Sequence, residues 1–250
     1  MGGILEFIPY FYYYVCAIAV LLLVFFGFKN SPDGTKIKVL YFLCIVNFLA
    51  YISNVYYFYL RGDSILTLLP IQLCEISVFL IPLALLLKKQ VLYDFIFYVC
   101  ALGAFIALAV PSSDYIGEAG TFMSFSFIAS HSIVVGIPFL LAGWGFYSPV
   151  PTIKSVVRLS AAVLILALFS HAVNLAFGKW FGVRADYFFT IIRYSAPSNP
   201  VFELFSRLIP VDLLYLLPGL PILWVYIPII SLPWSMKKRF IRTDGENLRL

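Results

Sequence analysis

The stretch LPIQLCEIS, Leu69 to Ser77, decides how this chain is read. It places Gln72, Cys74, Glu75 and Ser77 inside a run that is otherwise apolar, with ILTLLP before it and VFLIPLALLL after it. A carboxylate in hydrocarbon costs about 2.5–3.5 kcal/mol on insertion scales. Such a group faces the inside of a helix bundle, finds a partner there, and marks a functional site by default. Everything around the stretch has to be a membrane bundle for that argument to apply.

The composition says that it is. The chain has 250 residues, 62% of them hydrophobic and 12% charged. Runs of about 20 apolar residues recur through its length, the signature of transmembrane helices. Spans are predicted at about 9–28, 39–60, 65–87, 90–110, 121–146, 157–178 and 208–233. The predicted class is all-α, a polytopic membrane protein of about seven transmembrane helices in a single domain. The N-terminal MGGILEFIPYF lacks the basic region of a cleaved signal peptide, so the first span is expected to be retained. Residues 179–207 are too polar to span yet rich in Phe, Tyr and Trp. They are expected to form a re-entrant or interfacial lid on the outer side before the last helix. Residues 234–250 form a basic tail.

Orientation follows from the basic residues. With the N-terminus outside, twelve of the 17 Lys and Arg fall on the inside, including Lys29, Lys36, Lys38, Lys88, Lys89, Lys154 and Arg158. The connection PSSDYIGEAG then lies outside with Asp114 and Glu118 and no basic residue. The chain is therefore expected in the plasma (cytoplasmic) membrane as a multi-pass protein, N-terminus outside and tail cytoplasmic. Its net charge of +5 is accounted for by topology and anionic lipid contact, and nucleic acid is not an expected partner.

Cys16, Cys44, Cys74 and Cys100 all lie in predicted spans and form no CxxC pair, and His131 and His171 are the two histidines. Neither a disulfide framework nor a metal site is expected, and no cofactor. Within the predicted third and fifth spans, Cys74 and His131 each lie about ten residues from the outer edge, ~15 Å deep at ~1.5 Å per residue. Gln72, Glu75, Ser124, Ser126, Asn54 and Asn174 are read into the same outer half, and Asp212 opens the last span. The inner halves read as almost entirely Leu, Val, Ile and Phe.

Thiol and imidazole are the pair required for nucleophilic catalysis, because a buried thiol needs a base to become a thiolate. Each residue also has a plainer reading. Free cysteine is a common small buried hydrophobe. A histidine in a span often makes one helix-to-helix hydrogen bond, the reading given to His171. Gln72 and Ser77 serve equally as interhelical polar contacts. Seven spans bring retinal proteins to mind, but the last span has no lysine for a Schiff base.

LPIQLCEISVFLIPLALLL, the basic turn after it, and VLYDFIFYVCALGAFIALAVP resemble the bacterial YwaF-type integral membrane proteins. The resemblance continues through SFIASHSIVVGIPFLL, NLAFG, DYFF and the stretch near Pro200, and covers about residues 65–225. Eukaryotic relatives of that group look like cysteine-dependent acyltransferases moving fatty acyl chains between phospholipids. The resemblance puts the family's L-P-x-H-x-C motif on Leu69, Pro70, Gln72 and Cys74, and its fifth-span histidine on His131. Its loop motif falls on Asp186 to Thr190, with a basic residue following at Arg193. Two departures stand out: Gln72 replaces the motif histidine, and Asp186 the loop asparagine.

The resemblance implies an acyltransferase or transacylase with Cys74 as nucleophile and His131 as general base, acting on phospholipid and lysophospholipid. Gln72, Glu75, Asn174 and Asp186 are expected to support the pair, and Arg193 or Arg184 to hold a lipid phosphate. Two other readings stay open. A transporter for a small solute or ion would use the same polar residues but needs a path through the inner halves. In a non-catalytic scaffold the polar cluster would be structural only.

Overall fold

The computed structural model describes residues 10–111, 116 and 120–247. Residues 1–9, 112–115, 117–119 and 248–250, among them Asp114 and Glu118, lie outside the described residues. The rest is helical, without strands among the described residues. Six helices are long and apolar enough to cross a membrane, and a shorter apolar one joins them. The molecule is a polytopic all-α membrane protein.

Helix α1 (Phe11–Phe28) is followed by α2 (Asp33–Leu60), which starts directly after Pro32. Helix α3 covers Leu73–Leu87, and α4 covers Gln90–Ala109 with one π-helical stretch at Ile96–Cys100. Helix α5 (Phe122–Gly143) is capped by Thr121, whose hydroxyl accepts from the Ser124 N–H at 3.3 Å. Helix α6 (Ile153–Phe181) is capped by Thr152 in the same way and stops at Gly182, in the left-handed region at φ 65° that a side chain would strain. A short helix α7 (Pro200–Leu208) and the last helix α8 (Gly219–Asn247) complete the chain.

The third helix begins at Leu73, about eight residues later than the sequence predicts, and the last one at Gly219 rather than near 208. The cause at α3 is local. Pro70 has no N–H to give a helix and disfavours α-helical backbone at the residue before it, so α3 starts only after Gln72, its extended N-cap. Fifteen residues rise about 22 Å, short of a ~30 Å hydrocarbon layer, so irregular backbone at 61–72 has to complete the crossing. Such backbone survives at that depth only if its polar groups are satisfied by protein.

Helix α5 is the central strut and contacts α1, α2, α3 and α4. Ser130 Oγ donates to Asn47 Oδ1 at 2.6 Å and Ser126 Oγ to the Ala50 carbonyl at 3.3 Å, tying α5 to α2. Small residues let helices approach where hydrophobicity alone gives no preference over lipid. Gly103 of α4 is such a place: a Cβ there would sit 2.7 Å from Leu73 Cδ2, so a larger residue would push the Leu73 side chain aside where the start of α3 lies on α4.

At the opposite end of the bundle lies a polar cluster that the sequence reading missed. Asp94, buried near the start of α4, accepts from Gln90 Nε2 at 3.0 Å, Tyr147 Oη at 2.9 Å and Arg158 Nη2 at 3.3 Å. One turn on, the buried Tyr98 hydroxyl pairs with Ser231 Oγ of α8 at 2.8 Å. The inner half is not dry, as the run of Leu, Val, Ile and Phe had implied. Asp94 is one charge in an apolar segment, and its partners come from elsewhere in the chain.

Candidate functional site

The helices alternate in direction, so the starts of α3, α5 and α8 share one end of the bundle with the ends of α2, α4 and α6. The polar residues singled out from the sequence gather at that end, around a loop formed by residues 182–191.

This loop is built from hydrogen bonds to helix α6 behind it and to the start of α3 in front. Asn174, buried on α6, donates through Nδ2 to the Tyr187 carbonyl and to Thr190 Oγ1, both at 2.9 Å. Its Oδ1 accepts the Tyr187 N–H at 2.9 Å. His171, one turn earlier on α6, places Nδ1 3.1 Å from Thr190 Oγ1, a helix-to-loop hydrogen bond. Tyr187 Oη donates to the Leu66 carbonyl at 2.8 Å and accepts the Leu69 N–H at 2.9 Å. The irregular approach to α3 is thus satisfied by a tyrosine from the far loop.

Gln72 completes the junction. Its Nε2 donates to the Asp186 carbonyl at 3.1 Å and its Oε1 accepts the Phe188 N–H at 2.8 Å. The loop it grips is strained: Phe188 and Phe189 have φ of 58° and 54°, in the left-handed region. That conformation costs an ordinary residue roughly 1–2 kcal/mol, and it persists only where surrounding contacts over-determine it. Tyr215 Oη, hydrogen-bonded to the Phe189 carbonyl, supplies another such contact. Asp186 accepts the Ile191 N–H at 2.9 Å and the Ser195 hydroxyl. Burial pushes its carboxyl up to about 6, against the opposing pull of those two donors. Asp212 accepts the Ile192 N–H at 2.8 Å and so starts the helical turn Ile192–Ser195.

Cys74 is the second residue of α3 and is partly buried against the main apolar core. Glu75 follows it and accepts the Gln72 backbone N–H at 3.2 Å through Oε2. Its side chain therefore closes the first turn of the helix, which answers why a carboxyl group sits there. The first-turn N–H groups of a helix lack intrahelical partners and carry its positive end.

His131 lies within α5, a helix that contacts α3. Its Nδ1 is 2.8 Å from the Phe127 carbonyl and its ring lies 4.1 Å from the Phe127 ring, tilted by 32°. A carbonyl can only accept, so Nδ1 carries the proton and Nε2 is left with the free lone pair. That is the tautomer of a general base. Among the described residues no hydrogen bond joins Cys74 Sγ to His131. Two buried polar atoms at other points, Asn54 Oδ1 and Ser170 Oγ, have no partner among the described residues.

The structure thus brings Gln72, Glu75, Asn174 and Asp186 into one junction with Cys74 at its edge, and leaves His131 on the neighbouring helix. Arg184 and Arg193 are both exposed. The guanidinium of Arg193 lies over the Tyr194 ring, 4.8 Å from its centroid. Tyr187 and Thr190 matter as much as any residue predicted, and only their partners reveal it. No group of three or more His, Cys, Asp or Glu able to hold a metal ion occurs among the described residues.

Fold and junction define a multi-pass helical membrane protein with a polar site at one end of its bundle. A family model described as the TMEM164 family matches residues 4–234, and the chain belongs to that family. No curated protein and no solved structure matches it.

Proposed function

We propose that the protein is a membrane acyltransferase that moves a fatty acyl chain between phospholipids through a thioester on Cys74. The observation that carries this reading is the position of Cys74, a partly buried thiol on the first turn of α3, beside a loop held in strained geometry by Gln72 and Asn174. The resemblance to YwaF-type proteins and their acyltransferase relatives, which runs through LPIQLCEIS and His131, supports it further.

In the reaction, the Cys74 thiol gives its proton to His131 Nε2, and the thiolate attacks the carbonyl carbon of a phospholipid ester. First-turn N–H groups of α3 supply the donors for the oxyanion. The ester C–O bond breaks, and the lysophospholipid alkoxide takes the proton from His131. A second lipid hydroxyl then gives its proton to His131 and attacks the thioester carbonyl; the C–S bond breaks, the new ester leaves with the acyl chain, and the Cys74 thiolate takes the proton back from His131. Catalytic contacts are commonly loose without substrate and tighten when it binds. Loop 182–191 acts as the lid that keeps bulk water from the thioester. Placed by its basic residues, the site end faces the outside of the plasma membrane.

The Asp94 cluster removes the dryness of the inner half as an argument against transport. Its two carboxylate oxygens are, however, taken by three protein donors, which fits a structural clamp. Incubation of the purified protein with phospholipid, followed by intact mass measurement, tests the proposal. The expected result is a mass gain of one acyl chain that hydroxylamine removes and that Cys74→Ser and His131→Ala lack. An unchanged mass in the native protein, with every phospholipid class tried, overturns it.

A further inference from the structure

Behind loop 182–191, on the side away from α3, the structure has a cavity of about 200 Å³. Its walls come from the last turns of α6 and from the strand of loop that Asn174 holds. Leu175, Val183 and Ile191 give it apolar lining, and Lys179 and Arg193 line it as well. No lining residue is acidic, and among the described residues neither cation enters an ion pair. Arg184, which the sequence offered equally for an anion, is not among the lining residues.

We propose that this cavity is the seat of a phosphoryl group, held between Lys179 and Arg193 and carried there by a phospholipid headgroup. Three observations converge on it. Two cations from different segments, an α6 residue and a loop residue, share one concavity without a carboxylate between them. The guanidinium of Arg193 is steadied by the Tyr194 ring, which leaves its edge to make paired hydrogen bonds to phosphate oxygens. The apolar wall suits the glycerol and first methylenes that follow a headgroup into the bilayer, whereas a free anion has no use for it.

Two features oppose an anion here and set how much the cations must do. The C-terminal end of α6 presents negative partial charge, although the Phe177 carbonyl is already occupied by the Val183 N–H at 3.2 Å. Asp212 accepts the N–H of Ile192, next to Arg193, and lowers the local positive charge. Lys179 alone does little more than offset the helix end. Lys179 and Arg193 together give the site its positive sign, and both are needed.

The cavity is linked to the thiol by a short path. Asn174 lines it, holds both backbone groups of Tyr187, and Phe188 next along the chain donates to Gln72, the cap of the helix that carries Cys74. A headgroup seated here draws the loop against α6 on one side while Gln72 holds it on the other. The inference deepens the acyl-transfer reading and rests on it for the lipid's onward fate, but binding itself is independent of chemistry.

The test is equilibrium binding by the full chain in uncharged detergent, measured by calorimetry with two probes, a short-chain phosphatidylglycerol and inorganic phosphate. The native protein is expected to bind the lipid saturably. Lys179→Gln with Arg193→Gln is expected to weaken it at least tenfold, and each single change at least threefold. Arg184→Gln should bind within twofold of native, and Arg193→Lys should keep more affinity than Arg193→Gln. If the double variant does not fold, the single variants decide. Equal affinity in native and variant proteins overturns the site. A lower melting temperature with unchanged affinity does so too, and leaves Lys179 as a helix-end residue only. Inorganic phosphate that competes at the lipid's own concentration overturns the headgroup as the source. A Cys74 acyl adduct that forms equally well in the double variant sinks this site and spares the acyltransferase. Lipid binding lost in the double variant, with no adduct ever found on Cys74, does the reverse.

Discussion

Gln72 reaches across 114 residues of sequence to the carbonyl of Asp186, 3.1 Å from its Nε2. The same side chain receives the Phe188 N–H on its other atom, so one amide both donates to and accepts from a single turn of loop. A glutamine makes both hydrogen bonds at once and carries no titrating proton, which is a holding role.

Removing that hold should loosen the loop without unfolding the bundle. Gln72→Ala leaves the Phe188 N–H and the Asp186 carbonyl without their partner, at a cost of about 1–3 kcal/mol. Amide exchange at Phe188 and Phe189 should accelerate by about tenfold or more, since 1.4 kcal/mol is a factor of ten. Exchange in the middle of α5 should not change. Unchanged protection at 188–189 would mean that Asn174 and Tyr215 hold the loop unaided.

Asp186 gives the loop a pH dependence whose sign follows from its carboxyl being pushed up to about 6. The unfolded value is about 3.9. Between these pH values the folded loop binds more protons than the unfolded chain, so stability falls as pH rises through that window and levels off above it. Asp186→Asn should flatten the slope in thermal melts between about pH 4 and 6. The asparagine can still accept the Ile191 N–H, and Ser195, whose hydroxyl also lies 3.1 Å from the Ile191 carbonyl, can turn to donate there. A slope unchanged in the variant would assign the dependence to another group.

Glu75 holds the first turn of α3. Its Oε2 accepts the Gln72 N–H at 3.2 Å. Glu75→Gln keeps an oxygen acceptor for that N–H. Glu75→Ala removes the acceptor and should lower stability by about 0.5–2 kcal/mol in detergent melts, whereas Glu75→Gln should cost less. Equal stability of native and Glu75→Ala proteins would show that the first turn of α3 does not need this cap.

The clamp at the other end should be structural only. Asp94→Ala deprives Gln90, Tyr147 and Arg158 of a shared acceptor and should lower stability by about 1–3 kcal/mol in detergent melts. Arg158 is partly exposed, so its loss of an ion pair adds little beyond that. Labelling of Cys74 in the folded fraction should match the native protein. Altered labelling would couple the two ends through α4.

The sequence by itself determined the membrane bundle, because runs of apolar residues long enough to span are a one-dimensional property and need no partner to be recognised. It also determined which polar residues at the Cys74 end merit a role: Gln72, Glu75, Asn174 and Asp186 stand out against an apolar background. The tertiary structure alone decided what each of them does. Pro70 shortens α3 so that Cys74 lies on its first turn instead of deep in a span, and Tyr187 satisfies the backbone that this leaves exposed. Asp94 looked like a stray charge until Gln90, Tyr147 and Arg158 were seen around it. Lys179 was one of five basic residues left outside by the topology until Arg193 was found across a cavity from it. The physical reason is the same in each case. Hydrophobic spans are recognised from transfer free energy summed along the chain, whereas hydrogen bonds and charge pairs are satisfied by groups far apart in sequence, and packing chooses which ones meet.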